Sequence, residues 1–234
     1  MKHRLFTPGP TPVPEEVALA ISQPIIHHRQ AEFKEAFRRV SENLKYVFQT
    51  KEDVLTLTAS GTGAMEAAVA NLLSSNDTAL YVDGGKFGER WGQILQRFGV
   101  SCSAIKVEWG TAVNPELIRV ALSKHPPAKA VFLTQSETST GTVTDVKRVA
   151  EVVSSCSVAL IVVDGISSIG ALEMKMDEWG IDVTLTASQK GLMLPPGLAF
   201  IALSQRAWEA ARSSNLPKFY FDLDKARKTL KEAQ

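Results

Sequence analysis

The chain has 234 residues, 44% hydrophobic and 22% charged, which is enough to bury the core of one large α/β domain and excludes a disordered chain. A formal net charge of +1, with no basic stripe carrying interleaved aromatics, excludes an electrostatic footprint for nucleic acid or a membrane surface and leaves a small molecule as the expected partner. Cys102 and Cys156 have no metal-ligand spacing and cannot build a disulfide framework, so both are expected as reduced filler in or beside apolar strands. The opening MKHRLFTPGPTPVP lacks the apolar core of a signal peptide, and no window approaches 18 uninterrupted apolar residues, which predicts a cytoplasmic protein without a membrane span.

Residues 7–14 are proline-dense and read as an extended arm with few apolar contacts of its own, after which Pro14 opens a helix. From Gln30 to Gln49, the residues Phe33, Phe37, Val40, Leu44, Val47 and Phe48 recur at steps of three and four, the mark of one buried helical face. Strand-like and helical runs then alternate. VLTLT (54–58) precedes a helix from Gly63 with Met65, Ala68, Val69, Leu72 and Leu73 on one stripe, and TALYV (78–82) precedes a helix around 88–98. CSAIKV (102–107) leads to a helix capped by Asn114 with Pro115 in its first turn, where a missing N–H is harmless. KAVFLT (129–134) leads to a helix over 145–154, and SVALIVV (157–163) follows. Strands that are apolar throughout belong to a parallel sheet covered on both faces. VTLTA (183–187) and LAFIALS (198–204) are separated by only ten residues, too few for a helical crossover, so this pair is expected antiparallel and the sheet mixed.

In an open α/β sheet a ligand sits beyond the carboxyl ends of the strands, so the loops there are read together. ASGTGAMEAA (59–68) is a glycine-rich turn into a helix whose first N–H groups suit a phosphate, although a small-residue cap has the same look; its spacing is neither of the two nucleotide fingerprints. VDGGKFGERWG (82–92) sets Phe87 and Trp91 past a strand end, placed for core packing or for stacking on a planar ring. QSETSTGTVTD (135–145) supplies hydroxyls. Asp164 stands at the mouth of a central strand, where it caps a turn or serves a ligand. Lys190, in TASQKGLMLPPG (186–197), ends a strand in the same crevice. One cofactor needs a phosphate cradle, a stacked aromatic, a carboxylate for a pyridine nitrogen and an amine for an aldehyde: pyridoxal 5'-phosphate.

Six segments, TPGPTPVP, SGTGAMEAA, GGKFGERW, ETSTG, VVDGISSIG and SQKGLMLPPG, occur in an order that resembles the class V aminotransferases of fold type I, closest to the alanine-glyoxylate, serine-pyruvate and serine-glyoxylate branch. The resemblance runs from about residue 6 to about residue 224. It implies the large domain of that α/β fold, a mostly parallel mixed sheet with helices on both faces, over residues 23–222. Residues 1–22 would then be an arm and first helix, and 223–234 the start of a linker helix toward a small C-terminal domain that lies outside this chain. It further implies that Lys190 forms the imine with the cofactor and moves a proton between Cα and C4', while Asp164 pairs with the pyridine nitrogen. Phe87 and Ile166 would flank the ring. Thr62, Gly63 and Ala64, with Gln189, would hold the phosphate, and Thr138 would bond the phenolic oxygen. No metal is implied.

The implied reaction moves an amino group from serine or alanine to glyoxylate or pyruvate in a homodimer. Phosphoserine aminotransferase, a cysteine desulfurase-like enzyme and a non-catalytic module of the same fold are the alternatives. A desulfurase would carry histidines where this chain has Gln189 and Phe87.

Overall fold

The computed structural model describes residues 5–124 and 127–233; residues 1–4 of the expected arm segment and Gln234 of the expected linker helix lie outside these. In chain order the elements are α1 (Glu15–Ile21), α2 (Ala31–Phe48), β1 (Val54–Thr58), α3 (Gly61–Leu72), β2 (Thr78–Asp83), α4 (Lys86–Arg97), β3 (Ser101–Lys106), α5 (Pro115–Lys124), β4 (Ala128–Thr134), β5 (Ser136–Glu137), β6 (Thr142–Val143), α6 (Val146–Cys156), β7 (Leu160–Asp164), β8 (Val183–Ala187), β9 (Leu198–Leu203), α7 (Gln205–Ser213) and α8 (Leu223–Ala233). Among the described residues seven strands form one sheet in the order β1-β9-β8-β7-β4-β2-β3, and β5 pairs with β6 apart from it. β9 runs antiparallel to both neighbours, as the short 188–197 connection requires, while the other pairings of the seven-stranded sheet are parallel. The carboxyl ends of β1, β2, β4, β7 and β8 therefore share one edge of the sheet, and the loops that follow them converge there.

Alternation along the strands feeds two cores. Ala130, Phe132, Leu160 and Val162 face α3, α4 and α7, whose Met65, Trp91 and Trp208 fill that layer. Val131, Leu133, Ile161 and Val163 face the opposite layer with Phe48, Ile118 and Val149. Each such side chain contributes roughly 1.5–3 kcal/mol on burial, so covering both faces supplies the main driving force of the domain. Nine of the twelve residues of α3 are buried, because alanines at 64, 67, 68 and 70 let this helix lie close to the sheet.

Several boundaries differ from expectation. Ser60 caps α3, so the helix begins at Gly61 rather than Gly63. The α4 helix begins at Lys86, which places Phe87 on its first turn instead of in a loop. The α6 helix continues to Cys156, so β7 starts only at Leu160; Cys156 is exposed at a helix end and is no core filler, whereas Cys102 is half-buried, and both are free. On α2 the buried residues are Ser41, Leu44 and Phe48, with Phe37 and Val47 partly buried against the core, while Val40 is 46% exposed, so the expected face is covered mainly toward its C-terminal end. Helix α8 packs against the same layer as α3, α4 and α7, with Leu223 and Leu230 buried in that core and the Arg227 guanidinium 4.4 Å from the Trp208 ring centre. No helix among the described residues is long and apolar enough to cross a membrane.

Candidate active site

The crevice at the strand ends is assembled by close approaches that only small residues permit. A side chain at Gly61 would strike Ile166, so this glycine lets the start of α3 press against the loop after β7 and the end of β8. The Gly63 N–H points to the Ser60 hydroxyl at 3.4 Å, and the N–H groups of Gly61 and Thr62 meet no acceptor among the described residues. Ala64 differs: its N–H already donates to the Ser60 carbonyl at 3.3 Å, because the fourth helical residue is the first to find a partner one turn back. The expected role of Ala64 as a phosphate donor is corrected accordingly, and the free donors lie earlier, at Gly61 and Thr62.

Asp164 ends β7 and is 2% exposed. Its Oδ1 accepts the Ile166 N–H at 2.8 Å, closing a local turn, while Oδ2 receives no hydrogen bond among the described residues. Burial pushes its carboxyl up to about 7 and the charge of Glu137 adds to this; the Ile166 N–H, Arg90 and the Thr134 side chain work the other way. Lys190 lies in the turn after β8, half-buried, where desolvation lowers the ammonium's pKa against the pull of Asp164. Next to it, Gln189 Oε1 is buried with no partner. Since amide oxygen and nitrogen take equivalent positions, the same side chain turned over presents an N–H there. The Thr138 hydroxyl bonds the Ser167 hydroxyl at 2.7 Å, joining the loops after β4 and β7.

Phe87, half-buried, has the Arg90 guanidinium 4.8 Å from its ring centre, and Arg90 Nη1 donates to Thr62 Oγ1 at 3.0 Å. Arg90 thus ties the aromatic to the start of α3. Trp91, which the sequence left open between core and stacking, is fully buried against Phe132 with ring centres 4.8 Å apart and takes no part in the crevice. The arm is held by polar contacts: Thr11 N–H donates to the Gln189 carbonyl at 3.1 Å and Thr11 Oγ1 to the Lys190 carbonyl at 3.0 Å. Gly9 lies so close to the Lys190 stem that any larger residue would collide with it.

Sequence reasoning passed over Arg90, Glu137, Ser167 and Thr11. Arg90 carried one usable signal, its place three residues after Phe87 on a helix. Glu137, an acid in a loop of hydroxyls, carried only its oddness.

These groups fit pyridoxal 5'-phosphate. Two free N–H groups at a helix start suit a phosphate, a buried carboxylate with one open oxygen suits a protonated ring nitrogen, and a partly desolvated amine suits an aldehyde. The orphaned Gln189 amide is a further polar group that such a ligand would satisfy.

Comparison with known proteins agrees with this geometry. A family profile described as "Aminotransferase class-V" matches residues 4–222. The chain is 45% identical over 229 residues to the "Soluble hydrogenase, small subunit" of Synechococcus, a match that covers 97% of this chain and 60% of that protein. It is 38% identical over 236 residues to the serine-glyoxylate aminotransferase of Methylorubrum extorquens, covering 97% of this chain and 59% of the relative. The crystal structure of an alanine-glyoxylate aminotransferase from Nostoc superposes with a TM-score of 0.92 at 30% identity, over 98% of this chain and 62% of that one. The chain thus spans about 60% of the length of the curated relatives it matches.

Proposed function

The chain belongs to the class-V aminotransferase family, and on that premise we propose that it is an aminotransferase moving an amino group from a small amino acid, serine or alanine, to a small 2-oxo acid, glyoxylate or pyruvate. Pyridoxal 5'-phosphate is the cofactor of that family. The observation that carries the reading is the buried Asp164, with one open oxygen, beside the half-buried Lys190 at a shared sheet edge. Glyoxylate as acceptor is supported by two relatives whose names share it while their donors differ.

When bound, the cofactor supplies an electron sink for the charge left as a proton leaves the substrate's Cα. Asp164 holds a proton on the ring nitrogen, which keeps that sink open. Lys190 Nζ would hold the cofactor's aldehyde end and move the proton between Cα and C4'; its lowered pKa favours the neutral amine that both tasks need. Gly61 and Thr62 N–H groups, with Gly63 and the Gln189 amide, bind the phosphate, and Thr138 bonds the phenolic oxygen. Phe87 and Ile166 flank the ring and exclude water from its faces. Residues 23–222 form the cofactor domain in this reading, with 1–22 as arm and first helix and 223–234 as the start of a linker helix. The arm and the exposed half of α2 meet a second copy in a homodimer.

The test is a purified sample titrated with pyridoxal 5'-phosphate and followed by absorbance, then a donor panel offered with glyoxylate or pyruvate. A lysine-bound cofactor band and amino exchange with serine or alanine are expected. A bound cofactor with no exchange for any pair overturns the enzyme in favour of a non-catalytic cofactor-fold module, and sedimentation as a monomer overturns the dimer.

A further inference from the structure

Glu137 is a charged carboxylate only 5% exposed, and burying such a charge costs several kcal/mol unless donors surround it. Here they do. Its oxygens accept the N–H of Phe87 at 3.1 and 3.3 Å, the N–H of Gly88 at 2.9 Å, and the N–H and hydroxyl of Ser139 at 3.2 and 2.7 Å. The Ser139 hydroxyl in turn accepts the Lys86 N–H at 2.9 Å. Gly85 lies flat against the carboxylate, leaving no space for a side chain there. Two of the four donors to Glu137 are the backbone N–H groups of Phe87 and Gly88 in the first turn of α4, the turn that carries the Phe87 ring.

We infer that Glu137 is a positioning residue: by anchoring the start of α4 to the loop after β4, its carboxylate fixes the Phe87 ring over the cofactor plane. This rests on the function proposed above. A carboxylate suits the task because both oxygens accept, and the site offers four donors; a glutamine would turn an NH2 group toward N–H donors on one side. The charge also reaches Asp164, whose proton affinity it raises.

The experiment is a double-mutant cycle of Glu137→Gln and Phe87→Ala on pyridoxal 5'-phosphate affinity, measured by absorbance and by the visible circular dichroism of the bound cofactor. Glu137→Gln alone should weaken the cofactor by about tenfold, the effect of losing a charge-assisted hydrogen bond, and should alter the dichroic band. With Phe87 already removed, the same substitution should weaken it by less than about twofold, because residues acting through one another are not additive. Gly85→Ala, which displaces the carboxylate without removing it, and Ser139→Ala, which removes one donor, should reproduce the effect in weaker form and replace Glu137→Gln if that chain does not fold. An equal loss in both backgrounds overturns the positioning role while leaving the function standing. Absence of any cofactor band in the unsubstituted chain overturns the function, and the positioning role with it.

Discussion

Asp164 and Asp182 are each 2% exposed and flank the two central strands β7 and β8, one at the carboxyl end and one at the amino end of the sheet. Asp182 is fully engaged: Oδ1 accepts the Ser204 hydroxyl at 2.7 Å, Oδ2 accepts the Ile161 N–H at 3.0 Å, and the Arg206 guanidinium stands 3.4 Å away. Burial still raises its pKa, but those three partners oppose the rise. Among the described residues Asp164 is bonded by the Ile166 N–H and pairs with no cation at salt-bridge distance; Arg90 and the Thr134 side chain oppose the rise less than burial drives it, and the carboxyl is pushed up to about 7. Equal depth therefore does not mean equal work. A buried acid with both oxygens answered ties strands together, and one with an oxygen left open is held ready for something that arrives later.

The sharpest test of this contrast begins with the amine on which the charge of Asp164 acts. Lys190→Ala should lower amino transfer by about 10⁴-fold or more while the fold stays intact, since a half-buried strand-end lysine leaves no core cavity. Borohydride reduction followed by peptide mapping checks it, and a reduced cofactor on any other lysine refutes the assignment. Next in size, Asp164→Asn should cut kcat by about 10²–10³-fold with a smaller change in cofactor affinity, because the interaction strengthens in the transition state. Single-turnover rates decide the matter: an unchanged rate with collapsed affinity would make Asp164 an anchor of the same kind as Asp182.

Stability against pH separates the two acids without any substrate. In the folded chain burial pushes the Asp164 carboxyl up to about 7, whereas in the unfolded chain it releases its proton near the ordinary aspartate value of 3.8. The folded state binds more protons between these limits, so this contribution is complete below about pH 4 and is lost as pH rises through about 7. The gap corresponds to about 4 kcal/mol. Urea midpoints of the cofactor-free protein should therefore fall between pH 5 and pH 8, and Asp164→Asn should flatten that fall; an unaltered slope refutes the raised carboxyl. The smallest effect is expected at the other aspartate. Asp182→Asn should lower stability by about 1–3 kcal/mol through its hydrogen bonds to Ile161 and Ser204. Thermal denaturation would show this, with turnover per bound cofactor unchanged.

Much of the scaffold was readable from the chain alone, for identifiable reasons. VLTLT and VTLTA match β1 and β8 residue for residue, because apolar, β-branched runs bounded by glycine, serine and charged residues leave little freedom at either end. The antiparallel turn between β8 and β9 followed from a length argument. By contrast α7, only nine residues long, was passed over although Ser204 caps it, and the two-residue strands β5 and β6 are shorter than any periodicity can register. Within the site, Lys190 and Asp164 could be singled out because a charged residue at the end of an apolar strand contradicts its surroundings. Glu137 and Arg90 could not, since their partners Phe87 and Thr62 come from segments 28 to 50 residues away and only folding brings them together. The Ala64 expectation failed on a finer point, the number of N–H groups a helix start leaves unpaired.

The place of β9 also bears on how the molecule is made. Among the described residues it is the one strand that joins β1 to the rest of the sheet, yet Leu198 follows Thr58 by 140 residues (198 − 58). On a ribosome adding about 5–20 residues per second, β1 waits roughly 7–28 s for its partner, with both of its edges open. During that interval β2, β3, β4 and β7 can pair among themselves, so the nascent chain holds a growing parallel half and a solitary strand that invites foreign edges. The single antiparallel strand thus sets the moment at which synthesis becomes safe, and a chaperone that shields the first sixty residues would gain most until the two-hundredth has emerged.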